Sequence, residues 1–212
     1  MRVLLLGGLE VQDDEGNDVV VAGPKLRALL AMLALQAGRV VPTDHIVDAL
    51  WGEDPPAGVR NSLQGLASKL RRTLGSTDLV VMRGGGYVLE LPVDAIDVFR
   101  YEQLVASARA AAAGGVLERA ATLFGEADLL WRGDPLADFA YEDFAAGAST
   151  RLAELRLTVI EERLDIELRL GRHQEAIAQL EEFVATYPLR EAARAHADLE
   201  ARRTTGSIVL VV

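Results

Sequence analysis

Residues 57–74, Ala-Gly-Val-Arg-Asn-Ser-Leu-Gln-Gly-Leu-Ala-Ser-Lys-Leu-Arg-Arg-Thr-Leu, decide the fold. Val59, Leu63, Leu66, Ala67, Leu70 and Leu74 recur at helical spacing and form one apolar stripe. The opposite side carries Arg60, Asn61, Gln64, Ser68, Lys69, Arg71 and Arg72, and the stretch holds no carboxylate. A solvated helix face normally mixes both signs in i,i+4 pairs. A face of cations and uncharged hydrogen-bonding groups suits a polyanion with hydrogen-bonding edges, and duplex DNA fits that description. The competing assignment is a basic amphipathic helix that packs on its own domain, and the residues that follow weigh against it.

Residues 79–83 are strand-like, Gly84-Gly85-Gly86 is a turn able to take positive φ, and residues 87–91 form a second strand. A polar helix followed at once by a Gly-rich hairpin, with Arg83 and Tyr87 at its tip, is how a winged helix is built. The triple glycine is not a phosphate loop, because no Lys-Ser/Thr pair and no helix follow it.

Working outward, the N-terminal segment 2–11 reads as a strand, and Asp13-Asp14-Glu15-Gly16-Asn17 as an acidic turn. Residues 18–22 read as a second strand, giving a small antiparallel sheet. Pro24 opens a helix to about residue 37, and Arg39-Val40-Val41 is a short extended link. Thr43 is the expected N-cap of a helix ending near Trp51-Gly52, and Pro55-Pro56 forbid a continuous helix into the basic segment. The predicted fold class is therefore an α+β winged helix over residues 1–93: small antiparallel sheet, helix-turn-helix, β-hairpin wing.

From residue 94 the pattern changes to helices at 98–113, 115–131, 140–170, 173–186 and 189–203, an all-α domain over 94–212. Gly171, Ala176, Leu180 and Pro188 match the second half of a tetratricopeptide-like (TPR-like) helix pair, and Gly114-Gly115 with Ala120 is a looser earlier pair.

The charge distribution agrees with a DNA reader. Net charge is −10, yet residues 57–83 hold Arg60, Lys69, Arg71, Arg72 and Arg83 against Asp78 alone. A basic patch on an acidic protein favours a specific reader whose remaining surface repels phosphate. The chain has no cysteine, which excludes disulfides and thiolate chemistry. His45, His173 and His196 lack metal-ligand spacing, so neither metal nor cofactor is expected. No nucleophile elbow, P-loop or dinucleotide fingerprint is present, and the carboxylates of residues 161–165 and 181–182 read as helix charge runs, so no catalytic residue is nominated. The short apolar start is no signal peptide and no segment approaches a membrane span, so the expectation is a cytoplasmic, nucleoid-associated protein.

Asn61, Gln64, Ser68 and Arg71 are the candidates for base edges or nearby phosphates. Arg60, Lys69 and Arg72 are the candidates for the backbone, joined by Arg83 and Tyr87 on the wing. Thr43 is assigned first to capping and second to phosphate. Lys25 and Arg27 either touch DNA or dress the first helix, and Trp51 and Trp131 are anchors.

Taken in order, these residues resemble a family. Val3-Leu4-Leu5-Leu6-Gly7, Gly23-Pro24-Lys25-Leu26-Arg27-Ala28-Leu29-Leu30, Ile46-Val47-Asp48-Ala49-Leu50-Trp51-Gly52-Glu53, Ser68-Lys69-Leu70-Arg71-Arg72 and Gly85-Gly86-Tyr87 are similar to the OmpR-type winged helix. Asp97 with Phe99, Trp131-Arg132-Gly133 with Pro135-Leu136, and Gly171-Arg172-His173 with Glu175-Ala176 resemble a bacterial transcriptional activation domain. The whole resembles the SARP-type regulators over residues 1–203. The resemblance implies an activator bound to double-stranded promoter DNA as a dimer or tandem on direct repeats. It also implies recruitment of RNA polymerase, with the loop Trp51, Gly52, Glu53, Asp54, Pro55 and Pro56 facing the polymerase. Against that family, the activation domain reads as shortened, its terminal run 208–212 being a docked strand or, as preferred here, a truncation scar. The rival of another class is a TPR-like interaction scaffold whose winged helix does not bind DNA.

Overall fold

The computed structural model describes residues 1–174 together with 176 and 177. Residues 1–161 form one compact unit, and the described residues from 162 onward belong to a second.

The core of the first unit is α1 (Pro24–Leu35), which begins on its proline and buries Leu26 and every residue from Ala28 to Ala34. From Ala28 to Ala34 the helix is apolar on every side and offers no solvent face, so it becomes the post on which the other elements pack. Against it lie α2 (Thr43–Trp51) and α3 (Val59–Thr73). The predicted stripe of α3 is the buried one: Leu63, Ala67, Leu70 and Leu74 are sequestered, while Val59 and Leu66 are half-buried.

Before α1, β1 (Arg2–Leu4) and β2 (Glu10–Gln12) pair antiparallel, Val3 opposite Val11. The three-stranded sheet has the order β3 (Val41–Pro42), β5 (Gly86–Leu89), β4 (Val80–Arg83), all antiparallel. In the β4–β5 hairpin Arg83 pairs with Gly86, leaving Gly84 and Gly85 as a two-residue loop with φ of 58° and 81°. Two successive positive φ values are the geometry that twists a hairpin correctly and that side chains resist.

The single strand expected over residues 2–11 is instead two strands with a bent segment between them, and residues 18–22 contribute only an isolated bridge from Asp18 to Gln12. The cause lies far along the chain. The buried Asp97 carboxylate accepts the Leu5 N–H at 2.7 Å and the Leu6 N–H at 2.9 Å. Asp138 accepts the Leu9 N–H at 2.6 Å. The carbonyls of Leu5, Leu6 and Gly7 accept N–H groups from Leu136, Arg132 and Ala137. With its backbone groups so engaged, the segment has no need of a ladder partner. Burial raises the Asp97 carboxyl above its ordinary value, against the opposing pull of the Leu6 and Leu5 amides and of Arg132. Asp97→Asn turns an amide donor toward backbone donors, and it is expected to cost about 2 kcal/mol. Urea denaturation should show the lowered midpoint, and an unchanged midpoint would contradict this role for the Asp97 carboxylate.

Three long helices follow: α4 (Asp97–Ala113), α5 (Leu117–Asp128) and α6 (Asp143–Arg169). The α4–α5 pair turns at Gly114-Gly115, and Ala120 is fully buried, which allows the helices to approach as the repeat pattern predicts. Tyr101 meets Trp131 edge-on at 5.2 Å, and Arg156 lies 4.5 Å over the indole, so Trp131 is an anchor as expected. In the second unit Gly171 closes the end of α6 with φ 77°, Arg172 reaches Glu167 at 3.3 Å, and Ala176 is buried. Leu180, Pro188, His196, most of the helix at 173–186, that at 189–203 and the terminal apolar run lie outside the described residues.

Candidate nucleic-acid interface

The helix that presents the basic face starts after Gly58, whose left-handed conformation ends the loop containing Pro55-Pro56. From that start Arg60, Asn61, Gln64, Ser68, Lys69 and Arg72 all stand exposed. They share one side because the apolar stripe occupies the other. Arg83 is exposed at the end of β4.

Three predicted site residues take other places. Tyr87 is not at the wing tip: it lies in the central strand, opposite Met82 on one side and Val41 on the other, and only 3% of it is exposed. Its phenol, pushed up by burial against the opposing pull of Arg71, is a core group and presents no side chain to a duplex. Arg71 is half-buried, and its Nε donates to the Val80 carbonyl at 2.6 Å, fastening the last turn of α3 to the wing. Arg71→Ala is therefore expected to lower stability by about 1–2 kcal/mol, readable by thermal denaturation without DNA. Thr43 does not cap α2, whose N-cap is Pro42; its Oγ1 donates to the Gly85 carbonyl at 2.8 Å. The Thr43 N–H donates to the same oxygen at 3.1 Å. These bonds tie the start of α2 to the wing turn and make helix-turn-helix and wing one support.

Two further cations make contacts within the protein. Lys25 donates to the Leu50 carbonyl and lies 4.9 Å over the Trp51 ring, joining α1 to the end of α2. Arg27 donates to the Leu9 carbonyl at 3.0 Å and pairs with Asp138. Both serve packing. Sequence reasoning missed the carboxylates facing two interface cations: Asp44 lies 3.6 Å from Arg60, and Glu90 lies 2.7 Å from Arg83. The Arg83–Glu90 pair is visible only once the hairpin register is known.

The loop from Gly52 to Gly58 is exposed and carries Glu53 and Asp54, with Trp51 half-buried at its base. Among the described residues, no group of three or more His, Asp or Glu side chains is placed to hold a metal. No helix among them is long and apolar enough to cross a membrane.

A three-helix core, a central sheet and a glycine-turned hairpin beside an exposed basic helix define a winged-helix protein joined to a helical repeat. Residues 16–89 match the family model described as transcriptional regulatory protein, C terminal, and residues 96–208 match the bacterial transcriptional activator domain. The chain belongs to the SARP-type family of transcriptional regulators. It is 35% identical to the regulatory protein DnrI of Streptomyces peucetius, over 90% of this chain and 74% of that one. To the regulatory protein AfsR of Streptomyces griseus it is 37% identical over 92% of its own length, but it spans only 20% of that relative. Among solved structures it resembles Mycobacterium tuberculosis EmbR in complex with a low-affinity phosphopeptide, with a TM-score of 0.82 and 33% identity over 90% of this chain and 51% of that one.

Proposed function

We propose that this chain is a sequence-specific regulator, an activator that binds double-stranded promoter DNA through α3 and the wing. The observation that carries the reading is the α3 face itself. Seven exposed polar residues, three of them cations, stand on a helix without a single carboxylate, supported by a hairpin that α2 and α3 both grip. Asn61, Gln64 and Ser68 are placed to read base edges in the major groove, and Arg60, Lys69, Arg72 and Arg83 to hold phosphates. Thr43 and Arg71 act from behind, by positioning the wing and the helix. The DNA-reading domain is assigned to residues 1–93 and the activation domain to 94–212.

The exposed loop from Trp51 to Pro56 is assigned to RNA polymerase, and binding to repeated sites is assigned to a homodimer. Such a protein works at the nucleoid in the cytoplasm. Nothing about the α3 face favours the scaffold alternative, since a helix used only for packing has no need of an anion-free outer side.

The test is titration against the DNA upstream of its own gene and against a scrambled duplex, at two salt concentrations. The upstream DNA is expected to be preferred by about 4 kcal/mol or more. Lys69→Ala should weaken binding to both duplexes and reduce the salt slope by about 1. Equal affinity for both duplexes, or a Lys69 variant with unchanged affinity and slope, would contradict the reading.

A further inference from the structure

Four cations are assigned to phosphate, and they do not stand alike in the free protein. Lys69 and Arg72 have no carboxylate in ion-pair reach among the described residues, whereas Arg60 and Arg83 each have one. Arg60 and Asp44 are both largely exposed, at 77% and 85% of their side chains, and their separation of 3.6 Å is that of a loose pair. Arg83 and Glu90 are closer, at 2.7 Å, with Glu90 more sheltered. The two pairs belong to one edge of the interface. Asp44 follows Thr43, which is bonded to Gly85 in the wing turn, and Arg83 lies two residues before that glycine.

We propose that Asp44 and Glu90 stand in for DNA phosphates, holding Arg60 and Arg83 in the free protein and giving them up when the duplex arrives. The inference rests on the DNA-binding reading given above. The two acids then set how weakly unrelated DNA is held, because every complex, matched or not, must break the pairs and bring phosphate near the released carboxylates. The loose, exposed Arg60–Asp44 pair is weak and screened by salt, so its exchange is accessible. The Arg83–Glu90 pair is tighter and its Glu90 Oε1 is buried, so it is the costlier of the two to give up. A carboxylate left beside phosphate opposes binding in any sequence. Lys69 and Arg72 carry no such cost and supply the attraction that starts the encounter.

Asp44 has a second claim on its place, since it sits in the first turn of α2, where a negative charge favours the helix. A test must therefore read something that helix stability does not move. The full chain is titrated by fluorescence anisotropy with a labelled random-sequence duplex, at about 50 and about 200 mM salt. The variants are Asp44→Asn, Glu90→Gln, Arg60→Gln, Arg83→Gln and the doubles Asp44→Asn/Arg60→Gln and Glu90→Gln/Arg83→Gln, with Lys69→Ala alongside. Neutralising either acid is expected to tighten binding about three- to tenfold. The gain should be about two- to fivefold larger with the arginine present than with it replaced, because only then is a pair broken on binding. Equal gains in both backgrounds would reduce the effect to plain repulsion and overturn the exchange, as would no gain at all. If the wild type binds DNA and Lys69→Ala weakens it while the acid variants change nothing, this inference fails alone. If the wild type binds no duplex at either salt, the DNA-binding reading fails and takes the exchange with it.

Discussion

Asn61→Ala combined with Gln64→Ala is expected to remove about 2–6 kcal/mol of the preference for upstream DNA over a scrambled duplex, while leaving affinity for the scrambled duplex nearly unchanged. Each amide side chain can pair with two edge atoms of one adenine, and a good bidentate pair discriminates by about 1–3 kcal/mol. The two residues stand i and i+3 on α3, so they rise from one side of the helix and can address neighbouring base pairs. Both are exposed and take no part in the buried stripe of Leu63, Ala67 and Leu70. Truncating them therefore leaves the fold intact, and the melting temperature of the double variant should equal that of the wild type. The contrast with Lys69→Ala gives the experiment its force. Loss of a phosphate contact lowers both affinities together, whereas loss of a base contact lowers their ratio. Competition titrations with the two duplexes read that ratio directly. An unchanged ratio would move base reading off these residues and onto the wing or onto DNA shape.

What could be read from the sequence was what depends on neighbours in the chain. The start of α3 follows from Pro55-Pro56, its two faces from a helical repeat of apolar residues, and the wing turn from Gly84-Gly85. The assignments that failed depend on partners far along the chain. Thr43 before a helix looks like a cap, but its hydroxyl finds Gly85, 42 positions later. Segment 2–11 looks like one strand until Asp97, Arg132 and Asp138 take its amides and carbonyls. Tyr87 is aromatic, glycine-flanked and near a turn, which suits a wing tip. Its burial follows from β3 joining the hairpin on the β5 side, so that β5 becomes the central strand. The extended link Arg39-Val40-Val41 was the available signal: paired with the wing, it places Tyr87 inside. The outward face of α3 was legible because exposure there is the complement of a local stripe. Arg71 lies near the boundary between the two faces, where only packing against β4 decides its partner.

Gly86→Ala is expected to destabilise the protein by about 3 kcal/mol, lowering Tm by roughly 6–12 °C for a chain of this size. The cause is contact and not conformational freedom. A Cβ built on Gly86 falls 2.1 Å from the Val41 carbonyl oxygen and 2.8 Å from a Val40 methyl. The obstructing oxygen is backbone, so it cannot turn aside as the end of a side chain would. Relief requires β3 to separate from β5 at the Pro42–Gly86 pair. That separation would also strain the two bonds from Thr43 to Gly85, on which the wing depends for its position beside α2. Gly85 provides the internal control. Its φ of 81° penalises a side chain, but nothing lies within 4 Å of a Cβ there. Gly85→Ala should therefore cost only about 1 kcal/mol, the ordinary penalty of a left-handed residue. Thermal denaturation of the two variants separates a steric origin from a conformational one: a Gly85 variant as unstable as the Gly86 variant would assign the whole effect to the turn. With the sheet as described, and with the wing at DNA as proposed, Gly86→Ala should lose DNA binding along with stability at temperatures where Gly85→Ala retains both, because β3 holds β5 in place.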